Sequence, residues 1–139
     1  MTDSGHSNAL RLPKKERLSS KKEIEELFKN GSSFYLHPLL LKYQQVAPAQ
    51  TGQAVLFSVS RKKFKRAVDR NLIKRRMREA YRINQLLLKD EVPPGYRLAF
   101  VYLDKTILPF SIIEPKLKSL MLRLQKRALK NQSNAPKGT

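Results

Sequence analysis

The residues best suited to bind a ligand are eleven lysines and arginines between positions 61 and 82. Four of them, Arg70, Lys74, Arg78 and Arg82, recur at every fourth position and would share one face of a helix. Like charges at this spacing destabilise an isolated helix, so the ladder favours a ligand that supplies negative charge. Phosphates bound along such a ladder release counterions, which drives association. The spacing therefore predicts a polyanionic partner.

A solvent-exposed helix face usually mixes charges of both signs, whereas this stretch contains only two acids, Asp69 and Glu79. Asn71 and Arg75 fall on the basic side of the helix and add an amide and a guanidinium that donate directional hydrogen bonds. We therefore expect this segment to contact the phosphates of a polyanion. The predicted contacts are Arg61, Lys62, Lys63, Lys65, Arg66, Arg70, Asn71, Lys74, Arg75, Arg76, Arg78 and Arg82.

Groups that could catalyse a reaction are sparse. His6 and His37 have no acid at a spacing typical of a metal site or a catalytic triad. The chain has no cysteine, which excludes disulfides and thiolate chemistry. Glu23, Glu25 and Glu26 could in principle hold magnesium, but the lysines of the same segment can balance them. We predict no catalytic residue and no metal site on the protein itself.

Size and composition indicate one soluble domain. A chain of 139 residues with 40% hydrophobic and 29% charged residues is typical of a globular protein. The net charge of +18 indicates what kind of partner the protein binds and does not indicate its fold. Residues 1–13 are polar and unlike a signal peptide, and no apolar stretch is long enough to span a bilayer. We expect a cytoplasmic protein that does not bind membranes and has no obligate protein partner.

Three helices are expected. The first begins at a capping box at 20–23 and ends at Gly31 in a left-handed conformation. The basic helix covers about 67–88. The last begins near Ile112, with Pro115 tolerated in its first turn.

The predicted strands lie between these helices. Residues 32–46 read as extended segments interrupted by Pro38. Residues 54–60 form a short strand with apolar groups on both faces, which suggests a central position in the sheet. A basic loop, 61–66, joins this strand to the basic helix, and 98–103 is a second apolar strand.

This order predicts an α+β fold, a single-domain two-layer α/β sandwich in the order α-β-β-(β)-α-β-α. Its sheet is mainly antiparallel with one βαβ crossover. We divide the chain into a flexible basic arm at 1–16, one RNA-binding domain at 17–129 and a disordered tail at 130–139.

Aromatic residues precede the basic helix. Phe28, Phe34 and Tyr43 lie on the first helix and on the extended segments that follow it. An aromatic beside a positively charged groove can stack on unpaired bases. Packing in the core is the alternative for each of the three.

Two segments resemble the signature of the bacterial ribonuclease P protein component. They are 58–63 (SVSRKK), similar to the family's strand that ends in a "VSKK"-like turn, and 67–82 (AVDRNLIKRRMREAYR), similar to its "RNxxKRxxRE"-like helix. Residues 28–31 (FKNG) match the end of the family's first helix. The order of elements and the total length agree over nearly the whole chain.

This resemblance implies a protein subunit that binds a catalytic RNA and the 5′ leader of precursor tRNA. In the family the RNA cleaves the leader with RNA-bound magnesium, so the protein alone is expected to be inactive and to bind no cofactor. The leader would lie in a cleft at Phe28, and the βαβ crossover would be left-handed, against the general rule. Leu72 departs from a basic position of the family, and Ile24 from an aromatic one, so leader stacking could rest on Phe34 and Tyr43.

Two other classes of function fit parts of the sequence. A structural RNA-binding protein of the ribosomal type would share the charge and size but has no reason for an aromatic cleft. A metal-dependent nuclease would need several carboxylates brought together, and only the trio on the first helix offers that.

Overall fold

The computed structural model describes residues 20–45, 54–85 and 95–134. Within these ranges the chain forms three helices and four strands. They are α1 (Lys21–Asn30), β1 (Ser32–Leu36), β2 (Leu39–Gln45), β3 (Ala54–Val59), α2 (Ala67–Asn84), β4 (Tyr96–Tyr102) and α3 (Phe110–Asn134). The expected α+β architecture is confirmed. The predicted arm at 1–16, and Pro93 and Pro94 after α2, lie outside the described residues.

The four strands form one mixed sheet in the order β1-β2-β4-β3. The β1–β2 and β2–β4 pairs are antiparallel, and β3 pairs with β4 in parallel. Because α2 connects β3 to β4, this parallel pair is the predicted βαβ unit. The sequence-based placement of β3 in the centre is wrong, since β3 lies at an edge and β4 is central. The apolar residues on both faces of β3 are explained by helices on both sides of the sheet.

The main core lies between one face of the sheet and the pair α2 and α3. Leu41, Phe57 and Phe100 are register partners on this face, and they pack with Ile73 of α2 and Leu117 of α3. A fully buried leucine or phenylalanine side chain contributes about 1.5–3 kcal/mol, so this layer supplies most of the stabilisation. The apolar residues of α2 recur at every third or fourth position and pack into the core. The basic residues of α2 therefore lie on the sides of the helix that face away from the core.

The opposite face of the sheet is covered by α1. Leu27 is fully buried against Ala99 of β4, with Ile24 and Leu56 packed around this pair. On the same face, Lys42 donates from Nζ to the carbonyl of Gly31 at 3.3 Å. A single short helix cannot cover four strands, so part of this face stays open.

The ends of α1 follow the sequence prediction at one terminus only. The Ser20 hydroxyl accepts a hydrogen bond from the backbone N–H of Glu23 at 3.3 Å, as the capping box predicts. Gly31, however, has φ −76° and ψ 159°, so the expected left-handed stop is wrong. Glycine is required there by close packing. A Cβ atom would lie 2.5 Å from the carbonyl oxygen of Leu27 and 2.9 Å from that of Tyr43.

Three helix boundaries also differ from the prediction. Helix α2 ends at Asn84 rather than near 88, and α3 begins at Phe110, which places Pro115 beyond its first turn. Helix α3 continues to Asn134, five residues into the segment expected to be a disordered tail. No described helix is both long and apolar enough to cross a membrane.

Candidate functional site

The basic loop between β3 and α2 is anchored by an uncharged serine and a buried aromatic. The Ser60 hydroxyl accepts hydrogen bonds from the backbone N–H groups of Lys62 and Lys63 at 3.1 and 3.3 Å. The N–H of Phe64 donates to the carbonyl of Ser60 at 3.1 Å. The Phe64 side chain is buried and its ring lies 5.9 Å from that of Tyr102. These contacts hold the loop in a fixed shape while its cationic side chains face solvent.

Two of the predicted RNA-binding residues complete this anchoring. Arg70 donates through Nη1 to the carbonyls of Phe64 and Lys65 at 2.8 and 2.9 Å. Lys63 donates through Nζ to the carbonyl of Leu103 at 2.7 Å, which ties the loop to the end of β4. Charged donors bonded to carbonyls contribute more than neutral ones, so Arg70 and Lys63 help to shape the site.

The ladder on α2 runs along the border between the helix and its neighbours. Arg78 lies over the Phe57 ring, with 5.9 Å between its guanidinium carbon and the ring centroid. Arg82 pairs with Glu79 at 3.7 Å, and its side chain is 15% exposed. Arg70 and Lys74 are also partly buried. All four members of the ladder therefore contact the protein and solvent together.

Arg76 has a separate role on the side of α2 that meets the segment before α3. Its Nη1 donates to the carbonyl of Leu108 at 2.6 Å. Together with Arg75 and Glu79, it borders a shallow pocket of about 300 Å³ whose apolar wall is formed by Leu72 and Phe110.

The most exposed polar residues of the basic segment lie on the outer side of α2 and in the loop. Asn71 and Arg75 are exposed on successive turns of the helix. Arg66, at the N-cap of α2, pairs only distantly with Asp69, at 4.0 Å. Lys63 is exposed as well but donates to Leu103, and the other exposed loop residues are Arg61, Lys62 and Lys65. We use the name α2 basic face for the set Arg61, Lys62, Lys65, Arg66, Asn71 and Arg75.

The segment after β4 connects the basic loop to the β1–β2 turn. The Leu103 N–H donates to the carbonyl of Pro38 at 2.8 Å, and His37 Nε2 lies 2.9 Å from Asp104 Oδ2. The side-chain hydroxyl and backbone N–H of Thr106 donate to Asp104 Oδ1, both at 2.7 Å. These donors hold the pKa of Asp104 below its usual value, with a smaller contribution from His37.

Tyr102 fixes the next part of this segment. Its hydroxyl donates to the carbonyl of Thr106 at 2.7 Å and accepts from the N–H of Leu108 at 2.9 Å. Burial raises the pKa of the Tyr102 phenol.

Two of the three acids of α1 contact residues of the sheet. Glu23 pairs with Arg97 at 3.6 Å, and Glu26 accepts hydrogen bonds from Gln44 at 3.3 Å and from Asn30 at 3.4 Å. Among the residues that the structure describes, no group of three or more histidines and acids is placed to hold a metal ion. The geometry thus offers a binding surface built from cations on a rigid support.

Comparison with protein families decides where the chain belongs. The family model described as "Ribonuclease P" matches residues 12–125. The chain belongs to the ribonuclease P protein family. The ribonuclease P protein component of Porphyromonas gingivalis is 33% identical over 129 residues, covering 87% of this chain and 94% of that protein. That of Chlorobium phaeobacteroides is 35% identical over 130 residues, covering 84% and 88%.

Solved structures from the ribonuclease P protein family share this fold. The Thermotoga maritima RNase P protein aligns with a TM-score of 0.62 and 25% identity, covering 81% of this chain and 96% of that one. The Staphylococcus aureus RNase P protein aligns with a TM-score of 0.64 and 19% identity, covering 81% and 97%. The second likeness concerns the fold alone.

The aromatic cleft expected from the ribonuclease P resemblance is only partly assembled. Phe28 is 38% exposed on α1. Phe34 and Tyr43 lie on the other face of the sheet, stacked on each other with 4.9 Å between ring centroids and packed with the main core. Successive residues of a strand point to opposite faces. Phe34 and Tyr43 point to the face that packs against the main core. The structure therefore separates them from Phe28.

A different row of side chains shares a face with α1, and none of them was predicted for the leader cleft. Tyr35, Leu40, Val101 and Ser58 are register partners across the sheet, and Val101 is two residues from Ala99, which packs under α1. Glu23 and Glu26 point toward Arg97 and Gln44, at one end of the sheet. Phe28 lies on the opposite side of α1, so it flanks the row of Tyr35, Leu40, Val101 and Ser58. Tyr35 is 57% exposed. In the sequence, consecutive aromatics such as Phe34 and Tyr35 indicate that one ring lies on each face of the sheet. They do not indicate which of the two faces is buried.

Ser60 was also missed, although a serine that follows a strand and precedes two exposed residues is typical of a side-chain-stabilised turn.

Proposed function

We propose that this chain is the protein subunit of ribonuclease P and assists removal of the 5′ leader from precursor tRNA. The α2 basic face would bind the catalytic RNA. The observation that carries this proposal is that cations of the loop and the outer side of α2 are exposed on an anchored support, in a chain of the ribonuclease P protein family. A preshaped cationic surface loses little conformational entropy when it meets phosphates.

The leader is proposed to lie on the open sheet face beside α1. Phe28 and Tyr35 offer exposed aromatic rings for stacking on unpaired bases, and Leu40 and Val101 provide partly buried apolar floor between them. The basic loop borders the same end of the sheet, because Lys63 reaches the carbonyl of Leu103 just after β4. A single-stranded leader could thus contact cations and aromatics together.

The chemical step is assigned to the RNA subunit. The described carboxylates do not form a metal-binding cluster, and two of the three acids of α1, Glu23 and Glu26, are bonded to Arg97, Gln44 and Asn30. Under this proposal magnesium enters through the RNA, and the protein raises the affinity for precursor over mature tRNA and lowers the magnesium requirement.

The test is precursor-tRNA cleavage at low magnesium with a bacterial catalytic ribonuclease P RNA, with and without this protein. We expect cleavage only in the mixture, and none by the protein alone. Cleavage by the protein alone would refute the assignment of catalysis to RNA. Tight RNA binding without stimulated cleavage would instead favour a structural RNA-binding protein.

The leader surface is tested with Phe28→Ala and precursor tRNAs that differ only in whether they carry a leader. The variant should weaken holoenzyme binding of the leader-bearing substrate and leave that of the leaderless one unchanged. Removing one base stack costs about 1–3 kcal/mol. Ile112→Ala, which truncates an apolar residue of similar exposure on α3, is the matched control. Equal effects of the two substitutions would contradict a leader site at α1.

A further inference from the structure

A second cationic surface lies on α3, away from the α2 basic face. Between positions 115 and 130 the chain has six lysines and arginines and no acid. With 3.6 residues per turn, five of them fall on one stripe, which we name the α3 basic face. Its members are Lys116, Arg123, Lys126, Arg127 and Lys130.

Contacts fix the direction of this stripe. Arg123 donates through Nη1 to the carbonyl of Tyr35 on β1 at 3.3 Å, and the Arg127 guanidinium lies 5.7 Å from the centroid of the Phe34 ring. The stripe therefore borders the β1 edge of the sheet. The side of α3 that meets α2 is identified by the hydrogen bond from Asn84 to Glu114 at 2.9 Å. The two basic faces thus lie on opposite sides of the helical layer.

Electrostatics selects the kind of partner. Five cations along about 21 Å of helix repel one another and repel an identical copy of the chain. Lys126 and Lys130 are exposed, and the acid nearest in sequence, Glu114, is bonded to Asn84 on the other side of α3. A line of cations of this length is suited to a run of backbone phosphates. An anionic membrane usually requires large apolar side chains among the cations. The exposed apolar residues of α3, Ile112 and Leu122, lie beside the stripe rather than between its five cations.

We infer that the α3 basic face binds a second segment of RNA backbone, so that the protein bridges two separate RNA segments. This inference rests on the proposed function, because the first segment is the one held by the α2 basic face. The phosphates could belong to the catalytic RNA or to the body of precursor tRNA. Both sources present the same chemistry.

The test compares two triple variants that remove equal charge. Lys116→Gln, Lys126→Gln and Lys130→Gln together remove three cations from the α3 basic face. The control substitutions, Lys21→Gln, Lys22→Gln and Lys29→Gln, together remove three cations from α1. Binding is measured to catalytic RNA alone, because this RNA carries no leader and the proposed leader surface beside α1 is then not involved. We expect the α3 variant to lower the slope of log affinity against log salt by about 2, at roughly 0.7 per lost contact. The α1 variant should lower it much less.

Three further measurements separate the possible outcomes. Hydroxyl-radical footprints should lose protection at different nucleotides in the α3 variant and in Arg75→Gln on the α2 basic face. An α3 variant that binds catalytic RNA normally but weakens precursor binding by the holoenzyme assigns the phosphates to tRNA. Arginine at the same three positions should restore the slope, which distinguishes lost charge from lost folding.

Identical slopes in the α3 and α1 variants together with equal precursor binding by the two variant holoenzymes, or footprints that change at the same nucleotides in the α3 and Arg75 variants, would overturn the second surface and leave the proposed function intact. Absence of RNA binding by the unsubstituted protein would overturn the proposed function.

Discussion

At the scale of single residues, charge alone does not define a role. Arg70 and Arg75 lie on the same helix, but Arg70 donates to two backbone carbonyls of the basic loop, whereas Arg75 is exposed. The sequence placed both among the phosphate contacts. It could not separate them, because the acceptors of Arg70 come from a loop whose path only the folded chain defines.

Substitution by glutamine should separate the two roles. Arg70→Gln is expected to lower the free energy of unfolding by about 1–3 kcal/mol, because it leaves acceptors without their charged donor. Arg75→Gln should leave stability within about 0.5 kcal/mol and reduce the salt slope of RNA binding by roughly 0.7 to 0.9. Urea unfolding and RNA titrations at several salt concentrations measure both effects. Equal stability of the two variants would contradict the assignment of Arg70 to the loop.

Asp104 should make stability depend on pH. Thr106 and His37 hold the pKa of Asp104 below its ordinary value in the folded protein. The stabilisation is therefore present above the ordinary aspartate pKa of about 3.9 and is lost as pH falls through the lower folded value. Unfolding free energies measured from pH 6 to pH 2 should fall less steeply in Asp104→Asn than in the unsubstituted protein. Parallel curves would show that Asp104 makes no such contribution.

At the scale of elements, the sequence predicted which segments fold and missed how they face each other. Hydrophobic periodicity located the three helices of the described residues, and the apolar runs located β3 and β4. The position of β3 at an edge was not predictable, because a strand covered by helices on both faces has the same composition as a central strand. The separation of Phe34 and Tyr43 from Phe28 has the same origin, since alternation defines two faces without naming the buried one.

Gly31 is the tightest point between α1 and the sheet. Gly31→Ala should destabilise the protein by about 1–3 kcal/mol, the usual range for overpacking, because the added Cβ meets the carbonyls of Leu27 and Tyr43. Chemical denaturation measures this loss. Ser33→Ala, at an exposed position on β1, is a control that should change stability far less. A neutral Gly31→Ala would show that α1 can shift at little cost.

At the scale of the whole molecule, the net charge of +18 opposes folding through self-repulsion. Cationic side chains concentrate on α2, its preceding loop and α3, so divalent anions should relieve this repulsion better than chloride at equal ionic strength. We expect thermal unfolding to shift upward in sulfate relative to chloride. To separate anion binding from the general exclusion of sulfate, the same comparison is made with the α3 triple variant, which should show a smaller shift. Equal shifts in both proteins would indicate exclusion alone.

The edge position of β3 also sets an order of events in time. Its one partner in the sheet is β4, and β3 ends at Val59 whereas β4 begins at Tyr96. During synthesis, α1 and the β1–β2 hairpin can form as soon as they emerge, but β3 must wait for the whole of α2 to be made. The segment that closes this long loop is the one with the strongest internal repulsion. RNA or another polyanion present during synthesis should therefore speed the pairing of β3 with β4 once both strands have been made, acting on the rate of folding as well as on the stability of the finished protein.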